Sequence, residues 1–267
     1  MSFDAEQTLY YNVANAAVRA YPFPHFYVEN VFPADFYATL LENLPPQSAY
    51  RRLDETGTVP KGAYPDRYIC SLEEAEEDEF RRGTGDFWER FHAWMRGDTL
   101  ARLLLDRFRD AMLARYGDDV DVHVSNEARL VRDYTHYDIS PHTDTPRKLV
   151  SLLFYLPADD SMRHLGTSLY VPRDPARRCE GTKHHDFSDF LKVGTAEFRP
   201  NSLLAFFKTD LAFHGVEPIT DAGIERNLLL YNLYAERVVP KAGRSVAKDW
   251  SVRPAPAWTW RMPAARA

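Results

Sequence analysis

The second half of the sequence consists largely of short runs in which apolar and polar residues alternate, and this pattern constrains the fold more than any other feature. From residue 120 onward the apolar period is two, as in strands with one buried face. We predict strands at Val122–Asn126, Ala128–Tyr134, Leu149–Leu156, Ser168–Val171, Gly194–Phe198, Leu203–Lys208 and Leu228–Tyr234. Turns rich in Gly, Pro, Asp and Asn separate most of them. So many short strands predict a sandwich of two sheets.

The first part of the chain instead shows apolar residues at helical spacing. We predict helices at 1–20, Pro33–Leu44, Phe87–Met95 and Leu100–Tyr116, a strand at Pro22–Phe32 and a solvated helix face at Glu73–Glu79. These patterns predict one domain over 1–267, with a largely helical part at 1–119, a jelly-roll core at 120–239 and a C-terminal tail at 240–267. We expect the tail to wrap the body through Trp250, Trp258 and Trp260. The expected fold class is α+β with a mainly β core, a cupin-like sandwich with the N-terminal helices packed against it.

Composition limits the classes of partner. The 267 residues are 45% hydrophobic, which is enough for a normal globular core. A net charge of −6 argues against a nucleic acid or an anionic membrane as partner. No apolar run is long enough for a membrane span, and the acidic, polar first residues do not resemble a signal peptide. Cys70 and Cys179 are expected to be structural thiols rather than a disulfide scaffold. We therefore expect a cytoplasmic protein, for which a homo-oligomer is allowed.

One segment carries residues with the chemistry of metal ligands. His142 and Asp144 are two residues apart, immediately before the strand at Leu149–Leu156. On an extended chain such residues point to the same side, so an imidazole nitrogen and a carboxylate oxygen can bind one ion. His214, which follows the apolar run Leu203–Phe207, supplies a third ligand. Two His and one carboxylate form the facial set that leaves coordination positions open and suits non-haem Fe(II). Alternatively, His142 could simply end a strand, and Asp144 could form an Asx turn before Pro146.

A cation follows the third ligand. Arg226 lies twelve residues after His214 and opens another strand pattern. A fixed charge at the start of a buried strand costs free energy unless an anion meets it. The planar guanidinium matches a carboxylate in a two-point pair. We therefore expect Arg226 to bind a carboxylate, although a surface position on the strand would also explain it.

The ordered set His142, Asp144, His214 and Arg226 resembles the iron(II)- and 2-oxoglutarate-dependent oxygenase superfamily, in its prolyl-4-hydroxylase-like branch. The resemblance covers Val122–Glu236. It implies a double-stranded β-helix, or jelly roll. Two positions depart from the family pattern. Leu165–Leu169 contains one Gly where the family often has two, and Tyr137 stands near a position that is usually Gly.

The resemblance also implies cofactors and roles. The enzyme would be an oxidoreductase, a hydroxylase that uses Fe(II), 2-oxoglutarate and O2, with ascorbate as a stimulant. It would release succinate and CO2. Arg226 and Tyr155 would bind the distal C5 carboxylate of 2-oxoglutarate, and Ser151 and Leu153 would share that pocket face with Tyr155 by alternation. Because a carboxylate is present at Asp144, hydroxylation is favoured over halogenation; ring closure and desaturation stay open.

The substrate is less constrained by the sequence. Basic residues at 172–189 suggest an anionic small molecule or a sugar, and a peptidyl-prolyl substrate is the alternative. A metal-binding sensor without catalysis and a zinc hydrolase are the alternatives of other classes. We expect Lys148 to face solvent more often than not, and the remaining histidines to lie on the surface or in loops. The weaker candidates for substrate contact are Arg129, Arg132, Asn232 and His164, and, weaker still, Arg67.

Overall fold

We describe the structure from a computed structural model, for residues 3–74, 86–241, 248–249 and 258–260. Most of the predicted acidic helix face at 73–79 lies outside these ranges, as does Trp250. Of the predicted wrapping tail, two short strands are described, and both pair with the main body. Cys70 and Cys179 are both buried.

Five α-helices occur in the described residues, and all precede the β-rich part. They are α1 (Phe3–Asn15), α2 (Ala34–Glu42), α3 (Phe87–Met95), α4 (Asp98–Arg107) and α5 (Arg109–Tyr116). The prediction of one helix over 100–116 is wrong, because the chain breaks at Phe108. The break turns the Phe108 ring onto Phe26, with ring centroids 5.5 Å apart and nearly parallel planes. No helix in the described part of the chain is long and apolar enough to cross a membrane.

In the described ranges, thirteen strands form two antiparallel sheets. The strands are β1 (His25–Glu29), β2 (Arg51–Arg52), β3 (Arg67–Ser71), β4 (Val120–Tyr134), β5 (Ile139–His142), β6 (Lys148–Tyr155), β7 (Thr167–Pro172), β8 (Phe190–Ala196), β9 (Ser202–Phe207), β10 (His214–Val216), β11 (Glu225–Pro240), β12 (Lys248–Asp249) and β13 (Trp258–Trp260). The major sheet has the order β1-β9-β6-β11-β4-β3-β2, with β12 beside β11 and β13 beside β4. The minor sheet has the order β5-β10-β7-β8.

Strand β4 differs from its prediction. The two strands expected at 122–126 and 128–134 are one continuous strand, and it pairs with β11 along nearly its whole length. Long-range pairing of this kind outweighs the local break in the pattern at Glu127. The same pairing extends β11 beyond the predicted 228–234 in both directions.

The major sheet has two buried faces. One face packs on the helices through residues such as Leu130, Leu152 and Tyr231, which belong to the largest hydrophobic cluster. The other faces the minor sheet through Val131, Tyr155 and Leu228 and their neighbours. The predicted sandwich with helices on one side is therefore confirmed. The space between the two sheets is where the candidate ligands lie.

Candidate active site

The three predicted ligands come together between the sheets. His142 ends β5, and its Cα partner on the neighbouring strand β10 is His214. Asp144 follows two residues after His142. One ligand atom from each side chain lies within 4.8 Å of the others, and both imidazoles are more than nine-tenths buried. The strand register thus brings together residues that are far apart in sequence.

Both imidazoles have Nδ1 engaged with a backbone carbonyl, so Nε2 is the nitrogen that each ring offers to a metal. Nδ1 of His142 is 2.9 Å from the Ser140 carbonyl oxygen, and Nδ1 of His214 is 2.9 Å from that of Ala212. These contacts favour the Nδ1–H tautomer, which leaves each Nε2 lone pair free. Burial lowers the pKa of His142 well below its ordinary value, and the adjacent His214 lowers it further. Burial also lowers the pKa of His214. Neutral imidazole is the metal-binding form.

Asp144 is held by two contacts. Ser151 Oγ donates to Oδ2 at 2.7 Å, and Lys148 Nζ donates to Oδ1 at 3.0 Å. Burial alone would raise the pKa of the Asp144 carboxyl, but Lys148, both histidines and the Ser151 hydrogen bond together hold it well below its usual range. The expectation that Lys148 faces solvent is wrong, because its side chain is 15% exposed and paired with Asp144. Ser151 lies on the predicted face and contacts the ligand carboxylate.

A loop after β7 packs on the ligand segment. The Thr143 hydroxyl donates to the Cys179 carbonyl at 2.8 Å. A Cβ built on Gly181 would lie 2.3 Å from the Asp144 carbonyl oxygen, so only glycine permits this approach. His184, on the same loop, stacks on the His142 ring with centroids 4.6 Å apart. His184 is exposed and in a loop, as predicted, but its contact with a ligand was missed, since it depends on loop packing.

Arg226 is fully buried and partly satisfied by the protein. Nε donates to the Leu165 carbonyl at 2.8 Å, and Nη1 donates to Asp133 Oδ2 at 2.7 Å. Nη2 is buried and has no hydrogen-bond partner. The guanidinium therefore has one nitrogen left for an anion, where we expected a free two-point fork. The alternative reading, in which Arg226 lies at a surface position on the strand, is excluded by its burial.

Sequence reasoning missed Asp133, the internal partner of Arg226. Asp133 is the cross-strand partner of both Arg226 and Arg67 and is completely buried. Arg67 donates to the same carboxylate through Nε at 2.7 Å and Nη2 at 3.0 Å. Two cations share one anion, so this buried cluster carries a net positive charge. The register of β3, β4 and β11 would have revealed it, but register is not readable from one strand alone.

Tyr155 lies beside Arg226. Its ring centroid is 5.9 Å from the guanidinium carbon, and Phe198 approaches the same carbon at 4.6 Å. Its hydroxyl donates to Thr167 Oγ1 at 2.8 Å. Burial raises the pKa of Tyr155 to about 12, so the phenol stays protonated. Leu153 packs in the same cluster between the sheets, as its alternation with Tyr155 predicts.

The weaker substrate candidates are spread over both faces of the major sheet. Arg132 lies on the helix side, where it donates to Gln47 and to the Pro45 carbonyl and packs on the Tyr50 ring. Arg129 faces the minor sheet by alternation and pairs with Glu127. Asn232 is buried opposite Ser151. His164 is exposed and bonded to Asp221 at 2.5 Å.

The basic residues at 172–189 are engaged within their own loop. Arg173 donates to the Ser188 carbonyl, and Arg177 pairs with Asp189. Arg178 donates to the carbonyls of Pro175 and Arg177. These arginines are thus only partly available to an anionic substrate.

Comparison with known proteins identifies the fold. No protein-family model matches the chain, and no curated protein matches its sequence. The structure is similar to that of SnoN, a non-haem alpha ketoglutarate dependent epimerase from nogalamycin biosynthesis, with 13% identity, 98% of each chain covered and a TM-score of 0.51. A complex of SnoN with Fe3+, alpha ketoglutarate and nogalamycin RO gives 12% identity, coverage of 91% and 93%, and a TM-score of 0.42. A Pseudomonas putida prolyl-4-hydroxylase gives 15% identity, coverage of 86% and 98%, and a TM-score of 0.47.

At this identity the similarity establishes the fold alone. The protein has the double-stranded β-helix of the iron(II)- and 2-oxoglutarate-dependent oxygenases. The predicted resemblance is confirmed in the fold and in the presence of a His-Asp-His group.

Proposed function

We propose that this protein is an Fe(II)- and 2-oxoglutarate-dependent dioxygenase that hydroxylates an unactivated C–H bond of a small molecule. The observation that carries the proposal is the pairing of a His142-Asp144-His214 donor group with a buried guanidinium that has one unsatisfied nitrogen. A bare metal sensor has no use for such a nitrogen. A hydrolase would need a further general base near the metal, and it would have no use for a buried anchor for a co-substrate carboxylate.

The donor set fits a divalent metal of the iron type. Two neutral imidazole nitrogens and one carboxylate on one side leave the opposite positions open. Ser151 and Lys148 fix the carboxylate, and the carbonyls of Ser140 and Ala212 fix the imidazoles. Such outer contacts commonly change metal affinity by about 10–100-fold. When bound, iron(II) with 2-oxoglutarate and O2 supplies the oxidising chemistry, with succinate and CO2 as products.

The Arg226 site fits the distal carboxylate of 2-oxoglutarate. Its Nη2 is a buried donor without an acceptor, which costs free energy of about 1–3 kcal/mol until an acceptor binds. The surrounding Arg67-Asp133-Arg226 cluster has an excess positive charge that an anion would neutralise. Tyr155 and Phe198 close the sides of the guanidinium and exclude water. A charge-assisted hydrogen bond in so dry a site is strong.

The experiment measures metal binding and product together. Purified apoprotein is loaded with Fe(II) without oxygen, and 2-oxoglutarate is added. We expect a weak visible absorption band and, after oxygen and ascorbate are added, slow formation of succinate without substrate. The His214→Ala variant should lose iron, absorption band and succinate. His164→Ala, which removes an exposed histidine, is the matched control. Full iron content and turnover in His214→Ala would refute the assignment.

A further inference from the structure

A guanidinium from the helical layer reaches the loop that carries Asp144. We call residues 144–148, which lead from Asp144 into β6, the ligand loop. Arg115, in the last turn of α5, donates through Nη1 to the Lys148 carbonyl at 2.8 Å. Its Nη2 donates to the Pro146 carbonyl. One side chain therefore connects a helix to the ligand loop at two points.

The Arg115 guanidinium is held in a fixed orientation. Its carbon lies 5.0 Å from the centroid of the Tyr116 ring and 5.9 Å from that of the Phe207 ring. Nη1 is also 3.3 Å from the carbonyl of Lys208, directly after β9. The guanidinium is planar, and its donors point in fixed directions. It therefore forms a rigid link between α5, β9 and the ligand loop.

Arg115 supplies much of the hydrogen bonding to the backbone of the ligand loop. The loop has three successive carbonyls, and the first and third of them, those of Pro146 and Lys148, accept from Arg115. The carbonyl between them, that of Arg147, accepts from the Ala235 amide at 2.7 Å. Without Arg115, one of these three contacts would remain.

Packing does little to hold the ligand loop at Pro146. This residue lines a cavity of about 650 Å³, and Arg115, Phe207 and Lys208 are also in the cavity wall. Protein interiors otherwise contain few voids larger than a water molecule. Because side chains do not fill the space beside Pro146, the loop would have room to shift if the guanidinium were removed.

The ligand loop connects Arg115 to a candidate metal ligand. Arg115 holds Lys148 by its backbone carbonyl, and Lys148 Nζ donates to Asp144 Oδ1 at 3.0 Å. Asp144 is also the first residue of the same loop. Metal–ligand distances vary by only about 0.2 Å in well-formed sites. Even a small shift of the loop would therefore take the carboxylate out of reach of a metal held by His142 and His214.

We propose that Arg115 is a positioning residue for the metal centre, which fixes the backbone of the ligand loop and thereby the place of the Asp144 carboxylate beside the two imidazoles. Arg115 acts through the loop and donates to none of the three ligands. A loop that is fixed before the metal arrives loses little freedom when the metal binds, so affinity is gained. This inference rests on the proposed function, because it requires that the His-Asp-His group binds a metal.

The test compares two arginine variants. Arg115→Ala removes the link to the ligand loop. Arg107→Ala is the matched control, because Arg107 ends α4 and also donates to a backbone carbonyl, that of Ala16 after α1. Circular dichroism establishes that each variant folds, and Ni(II), which is stable in air, is titrated into each apoprotein. We expect Arg115→Ala to lower the affinity for nickel by about 10–100-fold and Arg107→Ala to leave it unchanged. Arg115→Lys should lie between Arg115→Ala and the wild type, since it keeps the charge without the fork.

Hydrogen exchange of the apoprotein gives a second readout that needs no metal. The Lys148 amide donates to the Thr145 carbonyl within the ligand loop at 3.0 Å. In Arg115→Ala it should exchange faster than in the wild type by about tenfold or more, because charged hydrogen bonds to the loop are lost. In Arg107→Ala its rate should not change. The amide of Leu152, buried in β6, should keep its rate in both variants.

Three results would each overturn the proposal: wild-type nickel affinity in folded Arg115→Ala, an unchanged exchange rate at Lys148 in that variant, or an equal loss of affinity in Arg107→Ala. If Arg115→Ala does not fold, Arg115→Lys takes its place, and wild-type affinity and exchange in that variant would overturn the proposal. Failure of the wild type to bind nickel would overturn the proposed function as well. Nickel binding by the wild type with no effect of Arg115 would overturn this inference alone.

Discussion

At the scale of single residues, Arg226 shows how a charge is kept in the protein interior. Its guanidinium is completely buried, and two of its three nitrogens are satisfied by Leu165 and Asp133. Asp133 also binds Arg67, so the carboxylate is shared and cannot fully neutralise either cation. Such an arrangement holds the side chain in one orientation and leaves Nη2 to a ligand. An isolated buried ion would cost several kcal/mol, so the internal pairs are needed even before a ligand binds.

The variants Arg226→Ala, Arg226→Lys and Tyr155→Phe measure this anchor. Removing one partner of a buried charge costs about 2–5 kcal/mol, or roughly 30- to several-thousand-fold in affinity. We expect Arg226→Ala to raise the apparent Michaelis constant for 2-oxoglutarate by that order and to leave iron affinity nearly unchanged. Arg226→Lys should recover part of the loss because the charge remains. Tyr155→Phe should lose less, about 0.5–1.5 kcal/mol, because its hydroxyl is engaged with Thr167.

The measurement is a titration of 2-oxoglutarate at fixed iron for the three variants and the wild type. Circular dichroism and a thermal melt establish that each variant folds, since Arg226→Ala leaves Asp133 with Arg67 as its remaining partner. Unchanged 2-oxoglutarate binding in a folded Arg226→Ala variant would move the anchor elsewhere. Lys148 and Arg129 would then be the next residues to test.

At the scale of elements, the site depends on two of the shortest strands. β5 and β10 carry His142 and His214, and their pairing sets the two imidazoles 4.4 Å apart between ring centroids. Gly215 follows His214 in β10. A Cβ built there would lie 2.4 Å from the Ile139 carbonyl oxygen in β5. That oxygen belongs to the backbone, so it cannot move without opening the pair.

We therefore expect Gly215→Ala to destabilise the protein and the metal site together. Forcing a methyl group into a packed site typically lowers the free energy of unfolding by about 1–3 kcal/mol. Gly194→Ala is the matched control, because residue 194 lies in β8 of the same sheet with nothing within 4 Å of the added carbon. Its unfolding free energy should stay within about 0.5 kcal/mol of the wild type. Urea unfolding and metal titration are measured for both. Equal stability and metal affinity of the two variants would contradict the argument.

The sequence predicted the elements of six to nine residues better than the longest and the shortest ones. Strand β6 was predicted to within one residue at each end and α3 at its observed bounds, because each has a clear apolar period. β5 and β10 were missed, since a strand of three or four residues has no measurable period. The candidate ligands His142 and His214 could still be proposed, because their residue types and order carry the signal, and the structure places them in one group with Asp144. His184 and Asp133 could not be found, because their roles depend on loop packing and on strand register.

At the scale of the whole molecule, the helices cover one face of the major sheet and the site occupies the other. This separation means that the helical layer contributes stability without touching the candidate ligands. One histidine in that layer, His92, lies where burial costs free energy when it is protonated. His92, on α3, is partly buried, and its Nε2 is buried without a hydrogen-bond partner. Burial, with a smaller contribution from Arg96, lowers the pKa of His92 to about 4.

His92 should therefore make the protein sensitive to acid. Its pKa in the folded state lies below its ordinary value of 6.5, so between pH 6.5 and pH 4 the unfolded chain binds a proton that the folded protein does not. The free energy of unfolding then falls as the pH falls through this window, by about 1–3 kcal/mol after allowance for the partial exposure of the side chain. We expect His92→Asn to reduce this dependence, while the buried His142 and His214, whose pKa values burial also lowers, retain the remainder. His136→Asn, at an exposed histidine, should retain the full dependence. Urea unfolding is measured at pH 7 and at pH 4.5 for the three proteins. If His92→Asn loses as much stability as the wild type between these two pH values, the acid sensitivity arises from other groups.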